Sequence, residues 1–360
     1  MKNFFRFSLP GLSAYACAFL LILTTTGAWA ADAKPKFKLA WTIYVGWMPW
    51  DYAAQSGILK KWADKYGIEI EVTQVNDYVE SINQYTAGTF DACVMTNMDA
   101  LTIPAAGGVD STALIVGDYS NGNDGVVLRD KDKLADLKGQ QVNLVELSVS
   151  HYLLARALDS IGASEKDIKV VNTSDADIVA AASAPGTTAL VTWNPQLSEI
   201  RKLPKMHQVF DSSTIPGEIL DLLVAKTEVL KKHPEFGKAL AGAWYEVLTL
   251  MAQKDAGKAA REAMAKASGT DLASFDAQLS TTFMFWTPKD AATFTRSPAL
   301  PVTMAKVAGF SFAHGLLGEG AKSSSAVGMT FPGGAHNGNE ANVKLRFDDT
   351  WMGLAADGKL

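Results

Sequence analysis

The chain has 360 residues, 48% hydrophobic and 20% charged, with a formal net charge of −5. That balance supports a sizeable core and excludes a disordered or collagen-like chain. Two cysteines exclude a disulfide scaffold, and without a Lys/Arg-rich stretch the electrostatic footprint of nucleic-acid binding is missing.

The first thirty residues have the layout of a cleavable secretory signal. Lys2 and Arg6 make a basic start, an apolar run covers about 12–23, and Ala28-Trp29-Ala30 supplies small residues at the cleavage site. The run is too short to span a bilayer well. Cys17 lies in it without a lipobox. Removing residues 1–30 takes away Lys2 and Arg6 and moves the net charge from −5 to −7. Cys93 is then the one remaining thiol, so no intrachain disulfide is expected. The expected product is exported and soluble, of roughly 330 residues, long enough for two domains.

Strand-like and helix-like stretches then alternate. Residues 37–41 read as a strand, 51–66 as an amphipathic helix stopped by Gly67, and 68–72 as a strand of period two. Residues 79–87 read as a helix ended by Gly88, and 90–95 and 112–116 as buried strands. Cys93 sits centrally in the first of these two and is expected to be inert core. A second unit has strands at 126–128, 141–145, 168–171 and 189–191, with a helix over 151–161 stopped by Gly162. Residues 227–268 read as mostly helical, and the remainder as loop-rich. This is the rhythm of an α/β fold with parallel strands. Glycine-rich crossings at 121–125 and 216–218 divide it into a first lobe, 31–123 with 222–360, and a second lobe, 124–221.

Open α/β sheets bind ligands beyond the carboxyl ends of their strands. Those ends carry Trp41, Tyr44, Trp47, Trp50 and Asp51 after the first strand, and Asn97 and Asp99 after the third. Asp118 and Asn121 follow the fourth, Glu146, Ser148 and His151 follow 141–145, and Trp193 follows 189–191. No Lys or Arg stands out among them, so an aromatic, acidic pocket is expected. Several have structural readings too: Trp41 as core, Asp118 and Asn121 as turn formers, Asp99 and Ser148 as helix caps, His151 as a packed side chain. Trp47 and Trp50 fall in a loop that a core does not require.

Catalytic signatures are lacking. The five histidines have no metal-ligand spacing, and no Gly-x-Ser-x-Gly elbow occurs. Gly315 and Gly320 have phosphate-loop spacing, but Ala321 stands where Lys is needed. No metal, cofactor or enzymatic activity is expected.

Asp-Leu-Lys-Gly-Gln-Gln-Val at 136–142, the helix 148–158 and Val170-Val171-Asn172 resemble the second lobe of ABC-importer solute-binding proteins. The resemblance is to the nitrate/sulfonate/taurine, NMT1-like branch. Gly88-Thr89-Phe90-Asp91-Ala92 with Asn97, Val191-Thr192-Trp193-Asn194-Pro195 and His233-Pro234-Glu235 extend it along the chain. The resemblance implies a type II periplasmic-binding fold, two α/β lobes with a ligand cleft between them. It also implies a monomeric periplasmic receptor that closes on a small molecule and docks on an inner-membrane permease. The thiamine-pyrimidine enzymes of the superfamily use a Cys-rich segment that is missing here. The run 44–50, the stretch 146–152 and the ending 345–350 further resemble a subgroup linked to urea carboxylase, which implies urea or guanidine as ligand. Carboxylates pair bidentately with guanidinium and Trp faces attract cations, so guanidinium is the expected ligand. Urea, a sulfonate- or nitrate-type anion, and a hydrolase of a small nitrogen compound stand as alternatives.

Overall fold

The computed structural model describes residues 34–360. The expected signal segment and Cys17 lie outside the described residues. Among the described residues no helix is long and apolar enough to cross a membrane.

The strands are β1 Lys36–Trp41, β2 Glu69–Gln74, β3 Ala92–Thr96, β4 Ser111–Ser120, β5 Asp124–Arg129, β6 Gln141–Leu144 and β7 Lys169–Asn172. They continue with β8 Ala189–Trp193, β9 Met206–Asp211, β10 Leu220–Lys226, β11 Thr282–Met284, β12 Gly328–Thr330, β13 His336–Asn337 and β14 Val343–Phe347. They form two sheets. The larger runs β13-β12-β14-β4-β10-β3-β1-β2, with β11 also on β4; the smaller runs β7-β6-β8-β5-β9. The chain therefore passes to the smaller sheet over 121–123 and returns over 212–219.

Position in the sheet follows composition. β3 is buried at every residue, as an inner strand covered on both faces should be, whereas β2 (Glu-Ile-Glu-Val-Thr-Gln) is polar and half-exposed at the edge. Cys93 lies in the β3 core. Burial pushes its thiol up to about 12, which keeps it protonated and unreactive.

Neither sheet is wholly parallel, which corrects the rhythm read from the sequence. β10 runs antiparallel to both β3 and β4, and β5 runs antiparallel to both β8 and β9. These are the strands that follow the two crossings, so each enters its sheet from the opposite side. The sequence reading had no strand at β9 or β10. The expected helix 51–66 is two helices, Met48–Gln55 and Ile58–Lys65. Gly57 between them has φ +80°, a left-handed conformation that glycine adopts without a Cβ penalty. The long helical stretch after Thr227 is three helices, Thr227–Lys232, Pro234–Met251 and Asp255–Ala267. The remainder is helical as well as looped, with Leu272–Leu279, Pro288–Thr295, Ala299–Ala313 and Thr350–Ala356.

Candidate functional site

A small cavity, about 20 Å³ in volume, lies where strand ends of the two sheets face each other. It is lined by Tyr44, Trp47, Tyr78 and Thr96 from the larger sheet's side, with Ile219 and Asp221 at the start of β10. Asn123, Asp124, Val149 and Trp193 close it from the smaller sheet. That is room for about one water molecule, so a ligand of a few heavy atoms enters only when the walls move apart.

Four aromatic rings form its walls. Trp47 stacks on Tyr78 at 5.7 Å and meets Tyr44 edge-on at 5.0 Å; Tyr78 meets Trp193 edge-on at 5.6 Å. Such a box attracts cations through the negative faces of its rings.

The carboxylates stand in two layers. Asp124 and Asp221 line the cavity. Behind Tyr44, Asp118 accepts the tyrosine O–H at 2.8 Å; behind Tyr78, Asp99 accepts at 2.6 Å and also takes the Thr96 hydroxyl at 2.8 Å. Asp118 and Asp221 are directly paired residues of β4 and β10, so strand pairing itself brings two acids together. Burial raises both, and the Asp118 charge raises Asp221 further. At neutral pH the pair therefore holds a proton. Burial lifts Asp124 to about 6, against the opposing hydrogen bond from Ser120, and lifts Asp99 to about 6 against those from Tyr78 and Thr96.

Among the described residues no Lys, Arg or His lines the cavity. Among the described residues, the buried acceptor Asn123 Oδ1 has no protein donor and the buried donor Trp47 Nε1 has no acceptor, while Asp118 shares the proton of its pair with Asp221. The wall thus presents the Asp124 carboxylate and the Asn123 amide oxygen as acceptors, with an indole N–H among them.

Of the residues expected at the site, Tyr44, Trp47 and Trp193 line the cavity, and Asp99 and Asp118 back it. The others lie elsewhere. Trp41 is core at 2% exposure. Trp50, on the helix Met48–Gln55 rather than in a loop, is core stacked on Trp244 at 5.1 Å. Asp51 is half-buried on that same helix, away from the cavity. Asn97 spends its amide on the loop entering β10, donating to the Glu218 carbonyl and accepting the Leu220 N–H at 3.0 Å. Asn121 donates its backbone N–H to the Thr281 carbonyl. Glu146 is exposed, because the strand end turns its side chain to solvent while its N–H bonds Asn172. Ser148 caps the helix Val149–Ser160, accepting the Ser150 N–H. His151 faces Glu165 and His314 instead.

The sequence reading missed Tyr78, Thr96, Asn123, Asp124, Val149, Ile219 and Asp221. Asp124 lay inside the glycine-rich crossing and was read as turn chemistry. Asp221 was missed with its strand, although the run Leu222-Leu223-Val224-Ala225 is a strand signal.

Gly46 permits this packing. A Cβ there would stand 2.5 Å from Tyr44 Cε1 and 2.6 Å from Asp118 Oδ2. Both side chains are buried, and the Tyr44 O–H donates to Asp118 Oδ1, so they cannot simply swing away. Gly46→Ala is expected to cost about 1–3 kcal/mol of stability, read as a lowered denaturation midpoint, and to weaken solute binding with it.

The family pattern described as NMT1/THI5 like matches residues 51–255. The chain belongs to the NMT1/THI5-like family. That stretch carries Tyr78, Thr96, Asn123, Asp124, Trp193 and Asp221 of the cavity. Among its relatives, a binding protein of Brucella abortus is 24% identical over 185 residues, 49% of this chain and 56% of that protein. The taurine-binding periplasmic protein of Escherichia coli is 29% identical over 119 residues, 32% of this chain and 37% of that protein. The chain thus spans about half the length, or less, of these relatives. Similar solved structures include the alkanesulfonate-binding protein of Xanthomonas axonopodis pv. citri bound to MOPS, at 17% identity and TM-score 0.66, covering 82% of this chain and 98% of that one. The periplasmic nitrate-binding protein of Synechocystis has 14% identity and TM-score 0.57, covering 91% and 99%. These likenesses place this NMT1/THI5-like chain in the periplasmic-binding fold.

Proposed function

We propose that this protein is the solute-binding receptor of an ABC importer, exported to the periplasm, and that its ligand is guanidinium. The reading rests above all on the cavity wall: four aromatic rings, the Asp124 carboxylate, the Asp118–Asp221 pair with its one shared proton, Asp99 behind Tyr78, and, among the described residues, no basic side chain. A planar cation that only donates hydrogen bonds matches these acceptors, and aromatic faces add attraction. Filling the same wall with an anion places like charges together in a desolvated space, which is costly. Residues 31–123 with 222–360 act as one lobe and 124–221 as the other, hinged at the two crossings. Closure buries the solute before the receptor, as a monomer, meets its permease.

Urea is the second reading, and Trp47 Nε1 favours it, because a buried N–H without an acceptor suits a carbonyl oxygen. An anion is the reading the relatives' ligands favour.

Calorimetric titration with guanidinium, urea, taurine and nitrate separates these. Saturable guanidinium binding at one site per chain, at least 100-fold tighter than taurine or nitrate, is expected. Tight taurine or nitrate binding without a guanidinium response overturns the cation reading. Turnover of any of the four compounds overturns the receptor reading.

A further inference from the structure

A second constellation stands away from the cavity. His151 opens the helix Val149–Ser160, Glu165 follows that helix, and His314 caps the end of the helix Ala299–Ala313. Each offers one ligating atom, and the three atoms lie within 4.8 Å of one another. Glu165 Oε1 is 2.7 Å from His314 Nε2 and 3.3 Å from His151 Nε2. We propose that His151, Glu165 and His314 form a binding site for a divalent transition metal of the zinc type.

The hydrogen bonds around the cluster make the argument. His314 Nδ1 lies 2.8 Å from the Phe310 carbonyl, which can only accept, so Nδ1 carries the proton. The lone pair of Nε2 then faces a carboxylate oxygen at 2.7 Å. Two acceptors at that distance share either a proton or, after moving about half an ångström apart, a metal ion. The ring is also held by the kind of carbonyl contact that orients metal-bound histidines.

His151 supplies the second observation. It is 3% exposed, and its Nε2 has no hydrogen-bond partner despite lying near Glu165: the approach is close but not aligned as a hydrogen bond. Two imidazoles and a carboxylate are a known zinc set, and tetrahedral ligands about 2.0–2.1 Å from the metal stand roughly 3.3 Å apart. The Leu147 N–H donates to His151 Nδ1 at 3.2 Å, which leaves the proton on Nε2. Coordination through Nε2 moves that proton to Nδ1, where it faces the Leu147 N–H, so metal binding requires the turn at Leu147 to shift.

Access and charge also fit. Glu165 and His314 line an open groove, so an ion can enter. The nearby cations Arg156 and Lys306 are both held by Glu218, at 2.9 Å each. Lys166 lines the same groove and is the charge that opposes a metal there. The three ligands come from three separate stretches, so sequence spacing had no signal to offer. His314 belongs to a helix beside the larger sheet and the other two to the smaller-sheet unit, so a bound ion would tie the two together.

The test is titration of the purified protein with Zn²⁺ alone, without organic solute, so its outcome is independent of the solute assignment. One Zn²⁺ per chain is expected, and Co²⁺ in its place should show the visible absorption of a tetrahedral site. His314→Ala and Glu165→Gln, both partly exposed positions, should each weaken binding at least tenfold. Glu340→Gln, which removes the partner of a different histidine, His336, should leave it unchanged. No saturable Zn²⁺ binding, or unchanged binding in both His314→Ala and Glu165→Gln, overturns the site and leaves a proton-bridged ion pair.

Discussion

Asp124→Asn is expected to weaken guanidinium binding at least 100-fold while leaving the protein folded. Asp124 begins β5 at the mouth of the smaller sheet, opposite Trp193 in the strand register. Ser120 Oγ and Asn123 Nδ2 both donate to its Oδ2. Among the described residues no protein donor bonds Oδ1, which remains for a ligand. The substitution keeps the shape and removes the charge. A charge-assisted hydrogen bond is worth about 1.5–3 kcal/mol, with more lost when a buried cation is left unpaired. Stability without solute should hold or rise, because burial already penalises this carboxylate in the folded state. Calorimetry and thermal denaturation of the variant read the two effects separately. Guanidinium binding as tight as that of the parent protein would remove Asp124 from the site.

Acidification gives the second large effect, with opposite signs for binding and for folding. Asp124 and Asp99 titrate at about 6 in the folded protein, raised from 3.8 by burial. A cation needs them ionised. Between pH 7.5 and 5 the guanidinium affinity should therefore fall about tenfold for each carboxylate that must be charged. An anion would show the reverse, and neutral urea a weaker dependence. For folding, the folded state binds more protons than the unfolded chain across this range, so stability falls as pH rises. The contribution is fully present below the unfolded value near 4 and is lost through about 6. Each carboxylate accounts for about 1 kcal/mol between pH 5 and 7. The unliganded protein should thus melt at higher temperature at pH 5 than at pH 7, while the gain from added guanidinium shrinks. Glu218, held low by Arg156 and Lys306 against its burial, works in the other direction only nearer its own lower range. Calorimetry and scanning denaturation at the two pH values check both signs.

Local patterns carried most of the individual elements. Alternation in 37–41 and 68–72, and the stops at Gly88 and Gly162, are properties of short stretches, and the strands and helices stand where those stretches lie. β10 was illegible for a different reason. It follows a loop, and it enters the larger sheet antiparallel between β3 and β4, whose pairing with it joins residues more than 100 positions apart. The tryptophans show the same division. Trp41, Trp47 and Trp50 are equally apolar in sequence. One lies in a central strand and one is turned by its helix against Trp244, which leaves Trp47 alone on the cavity.

The chain's own order of residues determined an α/β fold and a prospective pocket rich in aromatic and acidic groups at the strand ends. Only the tertiary structure decided which acids matter. Strand pairing puts Asp221 beside Asp118, the crossing turns Asp124 inward, and the strand end turns Glu146 out to solvent. A carboxylate's role depends on its burial and neighbours, and both are set by contacts between distant segments that no local pattern records.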